Sequence, residues 1–560
     1  MYAKLGGLVN VVSNYDHLQD IACKVRAVLL CACCVLFAGL APAQVASAPS
    51  YKASDTFVLS GTVVNSVTGE SIGRALVRVS GVVQRTAFAD GEGRFKIDDL
   101  PSGSVNIDVQ KPGYSSPRDG RVARVTIGVD TGPVVLKLSP LGAIFGRVVD
   151  SVGQPIENLP LRLIGRTMRD GRVRWNMIGS AESDEDGRFR FPSLTPGPYF
   201  LAAGPGVQRE VRLLARDERP KTGYPSLYYP GAPDLSSATP IQLAVGQQAQ
   251  ADFAMTSVPV YKISGTVANS VPGRGVILQV LNQAGDPISM VTGGMRMDGT
   301  FEIRTVPAGT YTLKAFSHVE SQTLRAEIPL TVATNLDNVS LVLTPAPFIR
   351  ITVRMDSRDA SNLNRPGWNP QRPPVSVRLI PAALLGVEPS SNFVQQTPGV
   401  QVMGLQDVEP GKYTAEVMPW GLWYVQSAQY GPTNLLSEDL TVAPSQTYPI
   451  EIVLRDDGAT LTGNLQSPPR NETDATAVVV PQPASRRGAK VSQFASQSGF
   501  TMNGLAPGDY LVFAFDRIDD LEYANGDALQ PYASQATHVT LSPGQETHVA
   551  LNLIHAGEGE

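Results

Sequence analysis

One pattern returns five times along this 560-residue chain, and it limits what the chain can fold into. Each copy starts at an apolar residue: Phe95, Phe189, Phe301, Met403 and Phe500. A second apolar residue follows at +5 and a glycine at +8 (Gly103, Gly197, Gly309, Gly411 and Gly508). Apolar residues then stand at +10, +12 and +14, beginning with Val105, Tyr199, Tyr311, Tyr413 and Tyr510. Positions that alternate in this way share one face of a strand. The glycine admits a backbone turn that a β-branched residue resists. Asp90-Gly91, Asp186-Gly187 and Asp298-Gly299 stand before the first aromatic of three copies and signal a hairpin turn.

Upstream lies a shared opening strand, with Leu59-x-Gly61-x-Val63, Ile144-x-Gly146-x-Val148, Ile263-x-Gly265-x-Val267 and Leu461-x-Gly463-x-Leu465. The fourth copy departs from it, with Ile349-x-Ile351-x-Val353. A second alternating strand and a closing apolar strand complete each unit, and no window carries a convincing 3.6-residue period. The reading is all-β: a tandem array of five seven-stranded β-sandwiches. The expected boundaries are 54–140, 141–257, 258–345, 346–456 and 457–555. Linkers are nearly absent, so the modules are expected to follow one another head to tail. Three long loops interrupt them, at 205–240, 356–374 and 516–535. Loops of that length often carry function.

Residues 1–43 read differently. Lys24 and Arg26 precede an apolar run from Ala27 to Leu40, and Ala41-Pro42-Ala43 closes it. This is the layout of a signal peptide cleaved after Ala43. A retained anchor would need about 20 apolar residues. A lipoprotein would need a cysteine closing the run, and Leu30-Cys31-Ala32-Cys33 comes nearest. All four cysteines (Cys23, Cys31, Cys33 and Cys34) leave with the leader. The mature modules would then lack disulfides, thiol catalysis and cysteine-held zinc. A formal charge of −5 argues against a generally basic nucleic-acid binder, and a mean hydropathy of −0.04 against a multi-span membrane protein.

The Gly-x-Val opening strand, the Asp-Gly-x-Gly-Arg-Phe turn at Asp90–Phe95 and the Leu-Pro-x-Gly corner at Leu100–Gly103 resemble the carboxypeptidase regulatory-like domain family. The resemblance is strongest in the first three copies. It implies a transthyretin-like sandwich of the carbohydrate-binding-like group, usually an accessory domain. The layout of the stretches Tyr228–Phe253, Tyr424–Leu454 and Asp516–Ile554 also resembles secreted multi-module proteins of soil bacteria such as acidobacteria.

Catalytic signatures are thin. His555-Ala-Gly-Glu558 spells a zinc-binding pair, but at the end of the sequence given. Asp184-Glu185-Asp186 would suit calcium or a plain solvated turn. Lys262 and Asn338 are spaced for an isopeptide bond, but the alternation of the strand points Lys262 to water. No catalytic residue, metal or cofactor is assigned. Aromatic side chains on loops are the candidate ligand residues: Trp420, Trp423, Tyr424, Tyr228 and Tyr229, with Trp368 nearby in sequence. Sugar rings stack on such faces, and the ordinary alternative is that they cap cores or fill seams between modules. The expected protein is a non-catalytic exported binding or scaffold protein, with a polysaccharide or a cell-surface protein as partner. It would bind no nucleic acid and have no membrane span after cleavage. The alternatives are a structural spacer of the cell envelope and an accessory subunit of a separate enzyme.

Overall fold

A computed structural model describes residues 56–556, apart from 82, 117–122, 129–130, 205–206, 209–221, 284, 293–295, 297, 320–321, 359–371, 383–387, 398–399, 444–446, 467–474, 484–487 and 495–498. The leader expected at 1–43 lies outside the described residues. The chain divides into two units, Met1–Thr56 and Phe57–Glu560, and the account below concerns the second.

The fold is all-β, built as packed pairs of sheets. Each copy of the repeat opens with a strand: Thr56–Asn65, Gly142–Asp150, Val258–Ala268, Ile349–Asp356 and Ala459–Leu465. That strand pairs in parallel with the strand that closes the same copy, as in Val134–Pro140, Leu336–Val342, Ile450–Arg455 and Glu546–Leu551. Its other neighbour is the strand carrying the first residue of the repeat pattern. The second sheet forms around a pair of antiparallel strands, one of which starts at the +8 glycine: Gly103–Gln110, Gly197–Ala203, Gly309–Val319, Gly411–Pro419 and Gly508–Phe515. Among the described residues, the helical elements are short turns at Leu235–Ser237, Gly526–Leu529 and Gln530–Gln535. Their small span explains why no helical period showed.

The +5 position poses a geometric problem that the structure solves. Residues at +0 and +2 face the core, so strict alternation would send +5 to the opposite face. Yet Phe95 and Leu100 are both buried, and so are their counterparts in every copy. The residue at +4 is left-handed in all five: Asp99 (φ 59°), Ser193 (60°), Thr305 (59°), Asp407 (59°) and Gly504 (65°). Bulge-like shifts of register fall at this point of the ladder, as between Phe191 and Leu194. One left-handed residue changes the phase of the strand and returns +5 to the core.

The opening-strand glycine answers a second demand. Gly61 stands opposite Val134, Gly265 opposite Val339 and Gly463 opposite Val549 on the closing strand. A Cβ on Gly61 would lie 2.1 Å from the Val134 carbonyl oxygen and 2.9 Å from the Phe95 ring. On Gly146 the same contacts are Ala251 O at 2.1 Å and Phe189 at 2.9 Å. In the fourth copy Ile351 stands where the glycine would be, opposite Ile450 of the closing strand, and a Cβ on Gly404, on the neighbouring strand, would meet the Phe348 ring at 2.2 Å.

Tyrosine fixes the corner that follows. Tyr199, Tyr413 and Tyr510 donate their hydroxyls to the backbone oxygens of Thr195, Glu409 and Ala506, each four residues upstream. Among the described residues, five large clusters of buried apolar side chains each stay within one copy. Two smaller clusters lie on the outer faces of second sheets.

These contacts generate one expectation for stability. A Cβ on Gly265 would fall 1.8 Å from the Val339 carbonyl oxygen, so the closing strand has to move. Gly265→Ala is expected to cost at least about 3 kcal/mol in denaturant unfolding. A loss below about 1 kcal/mol would show that the strand yields cheaply.

Candidate functional site

Burial divides the aromatic candidates. Tyr228 is 1 % exposed and Trp423 and Tyr424 are each 7 % exposed, whereas Trp420 is 55 % exposed. Tyr229 is half-buried against the core of the second copy, and Trp423 belongs to the core of the fourth. A ring packed among side chains offers no bare face for a sugar to stack on. Trp368 lies outside the described residues. What remains exposed is one turn: Trp420, with Met418 and Leu422 two residues away on either side, also exposed.

The buried candidates serve the seams between copies. Tyr228 faces Asp286 of the third copy, and burial, then the Asp286 carboxylate, raise its phenol well above the ordinary range. Beside it, Arg162 donates to the Pro287 carbonyl oxygen at 3.1 Å and to Ser226 Oγ at 3.1 Å. The long loop after Ala203 also adds strands to both sheets of the third copy. Val207–Gln208 pairs with Pro287–Thr292, and Thr222–Gly223 pairs with Val258–Ala268. Tyr424 donates its hydroxyl to Asp457 Oδ1 at 2.9 Å, at the junction of the fourth and fifth copies. Arg455 holds both oxygens of the same carboxylate, and Arg358 Nε lies 2.9 Å from Oδ2. A buried carboxylate so surrounded is left with no orphan oxygen.

The strongest contact joins copies that are not neighbours in sequence. The hairpin of Pro160–Arg169 and Arg172–Glu182 meets both the fourth and fifth copies. Buried Arg378 donates Nη2 to Asp170 Oδ2 at 2.6 Å and to Glu416 Oε2 at 2.5 Å. Arg172 Nε reaches Glu416 Oε1 at 2.9 Å, and Arg174 pairs with Glu388. Arg166 pairs with Glu522 at 3.2 Å, and Gly171 accepts a backbone hydrogen bond from Ala524. The Tyr523 ring lies so close to Gly171 that a Cβ there would meet it at 2.5 Å. Burial alone would lower the Arg378 pKa, but its hydrogen bonds to Asp170 and Glu416 outweigh this and raise it. A head-to-tail string touching only at consecutive modules has no place for these contacts, so that expectation is corrected. The sequence reading missed them because partners 208 positions apart carry no local signal.

Two sequence expectations about polar groups can be placed directly. Lys262 Nζ pairs with Asp337 at 2.8 Å, on the outward side, as the alternation required. Asp184 Oδ1 accepts the backbone N–H groups of Asp186 and Arg188, and Asp186 pairs with Arg188. The acidic cluster is thus the frame of a hairpin turn. Among the described residues, no group of three or more His, Cys, Asp or Glu is arranged to hold a metal.

One polar group in the seam of the fourth and fifth copies stands apart. Lys490 lies in a cleft lined by Val417, Pro419, Val425, Val479 and Leu505. Its Nζ donates to the Gly504 carbonyl oxygen at 2.8 Å. Burial lowers its pKa from 10.5 to about 8.

Residues 58–136 match the carboxypeptidase regulatory-like domain family. The match spans the first copy of the repeat. No curated protein matches the chain. Among solved structures, it is similar to the Bacillus anthracis TIE protein at 14 % identity, over 52 % of this chain and 50 % of that one, with a TM-score of 0.17. It is also similar to a streptococcal ancillary pilin (14 % identity, 52 % and 100 % covered, TM-score 0.18). The major pilin subunit of Bacillus cereus matches at 10 % identity, with 52 % and 100 % covered and a TM-score of 0.15. At such TM-scores these likenesses carry no argument about what this chain does. No helix among the described residues is long and apolar enough to cross a membrane.

Two outcomes follow from the seams. Arg378→Met leaves Glu416, Glu388 and Asp170 without their shared cation and is expected to cost about 2 kcal/mol or more. Amide exchange in the hairpin 160–182 should rise with it, and unchanged exchange there would show that the hairpin is held by packing alone. For Lys490, the folded amine titrates below the unfolded one, so folding is penalised below pH 8 and the penalty fades as pH rises from about 8 to 10.5. That penalty is about 3 kcal/mol, and the unpartnered Gly504 carbonyl would give back about 1. Lys490→Met is therefore expected to gain about 2 kcal/mol at pH 7, with the gain gone by pH 10.5. A gain independent of pH would argue against a buried charge.

Proposed function

We propose that this chain is a non-catalytic exported scaffold, made of five β-sandwich modules at 54–140, 141–257, 258–345, 346–456 and 457–555, that presents a binding surface to a polysaccharide or a cell-surface protein. The observation that carries the scaffold reading is the ion-pair cluster around Arg378, which joins the second copy to the fourth. A buried cation with three carboxylates nearby is expensive to form and strongly specifies one geometry. A chain whose modules only had to be spaced apart would have no need of it. The leader layout expected at 1–43 supports export, and cleavage after Ala43 would start the mature protein at Gln44.

The binding surface we favour is the turn at Met418, Trp420 and Leu422. All three are apolar and exposed within one short segment at the end of the strand Gly411–Pro419. Tryptophan is the side chain best suited to stacking on a sugar ring or anchoring a protein contact. Tyr228, Trp423 and Tyr424 support the scaffold instead, through the cores and seams they fill. The test is a glycan array and a pull-down with the mature protein, starting at Gln44, beside its Trp420→Ala variant. Binding is expected to fall at least about fivefold in the variant, at unchanged thermal stability. Equal binding by both proteins would remove this turn from the reading.

A further inference from the structure

One row of two residues on the outer face of each second sheet is used in the same way from copy to copy. Five positions after the +8 glycine, its first member is Asp108, Ala202, Lys314, Glu416 or Phe513. Directly opposite, on the paired strand, stands Arg78, Arg162, Gln279, Arg378 or Val478. In four copies the row meets another part of the chain. Arg162 donates to the Pro287 carbonyl oxygen of the third copy. Lys314 pairs with Glu409 of the fourth. Arg378 and Glu416 receive the hairpin of the second. Phe513 lies in one apolar cluster with Leu529 and Tyr532.

In the first copy the row is bare. Arg78 is exposed and has no hydrogen-bond or ion-pair partner among the described residues, although Asp108 stands opposite it. Phe88, on the same face and opposite Leu76, is 72 % exposed. Arg78 and Asp108 repeat Arg378 and Glu416 in charge and in register.

What docks on Arg378 and Glu416 tells what fits Arg78 and Asp108. Asp170 meets the arginine at 2.6 Å and Arg172 meets the glutamate at 2.9 Å. Both belong to the stretch Arg169-Asp170-Gly171-Arg172-Val173. The same five residues recur as Arg118-Asp119-Gly120-Arg121-Val122, which lie outside the described residues. The first copy therefore carries both halves of a contact that elsewhere joins two different copies. Two molecules can exchange those halves reciprocally about a two-fold axis.

We propose that a second copy of this chain docks on the outer face of the first copy's second sheet, its Asp119 on Arg78 and its Arg121 on Asp108, and that the contact is reciprocal. Leu76 and Phe88 add apolar area beside the ion pairs. Ala123 stands where Arg174 gives the internal contact a further pair, so the association is the weaker of the two, with a Kd of about 10–100 µM. The face is separate from the Trp420 turn, and the inference does not rest on the reading given above.

The test is analytical ultracentrifugation of the mature protein from about 2 to about 300 µM at low salt, where a monomer–dimer equilibrium is expected. Arg78→Glu and Asp119→Arg are each expected to weaken the dimer at least about tenfold, with the fold checked by circular dichroism. An equimolar mixture of the two variants should regain it, because each reversed charge then meets the reversed charge of the other molecule. A monomer throughout the range, as docking of 118–122 within its own molecule would give, overturns the proposal. So does a dimer undiminished in either variant, or a mixture that stays monomeric.

Discussion

Each copy of this repeat is closed by the parallel pairing of its first and last strands, and in four of the five that pairing depends on a glycine. Backbone approaches Gly61, Gly146, Gly265 and Gly463 so closely that even a methyl group would collide with a carbonyl oxygen. The aromatic ring of the neighbouring strand then covers the bare backbone, which explains why Gly and Phe travel together in four copies. The fourth copy closes Ile349–Asp356 against Ile450–Arg455 without such a glycine, with Ile351 opposite Ile450. Closure brings the two sheets together, and the left-handed residue at +4 lets one strand feed the core on both sides of its bend.

Once the copies are closed, their outer faces become the problem. Second sheets of the second and fifth copies are apolar on both sides. Phe513 and Phe515 face away from the main core, as do Phe200 and Ala202. The long loops cover them. Leu529 and Tyr532 pack over Phe513 and Phe515, while Tyr228 and Leu235 pack over Phe200. Each fully covered Phe is worth roughly 2 kcal/mol, which offsets part of what ordering the loop costs. The same loops then supply Glu522 and Tyr523 to the hairpin contact and Thr222–Gly223 to the third copy. Loop length here serves cover and clasp.

The elements legible in the sequence were those written in short-range spacing. The pattern of +8, +10, +12 and +14 located five strands starting at their glycines. The odd step to +5 was also visible, and it was the mark of the bend at Asp99 and its counterparts. Runs such as Tyr510–Phe515, apolar at nearly every position, carried the signal that both faces of a strand are buried. That signal would have moved Tyr228 from the ligand candidates to the outer-face cover. The Arg378 cluster was not legible, because each partner looks like an ordinary surface charge until the fold brings Asp170 and Glu416 to it. Trp420 and Trp423 differ in exposure by one turn of backbone, which spacing alone does not resolve.

Charge is concentrated where the copies meet. With 17 % charged residues, the chain uses few ionisable groups, yet it places several of them in its seams. Arg378 and Asp457 are buried with their counter-charges, so what they cost in desolvation returns as a single preferred geometry. Lys490 is in the same kind of seam, with apolar walls and a carbonyl as its acceptor. A methionine of similar length would fill that space without desolvating a charge.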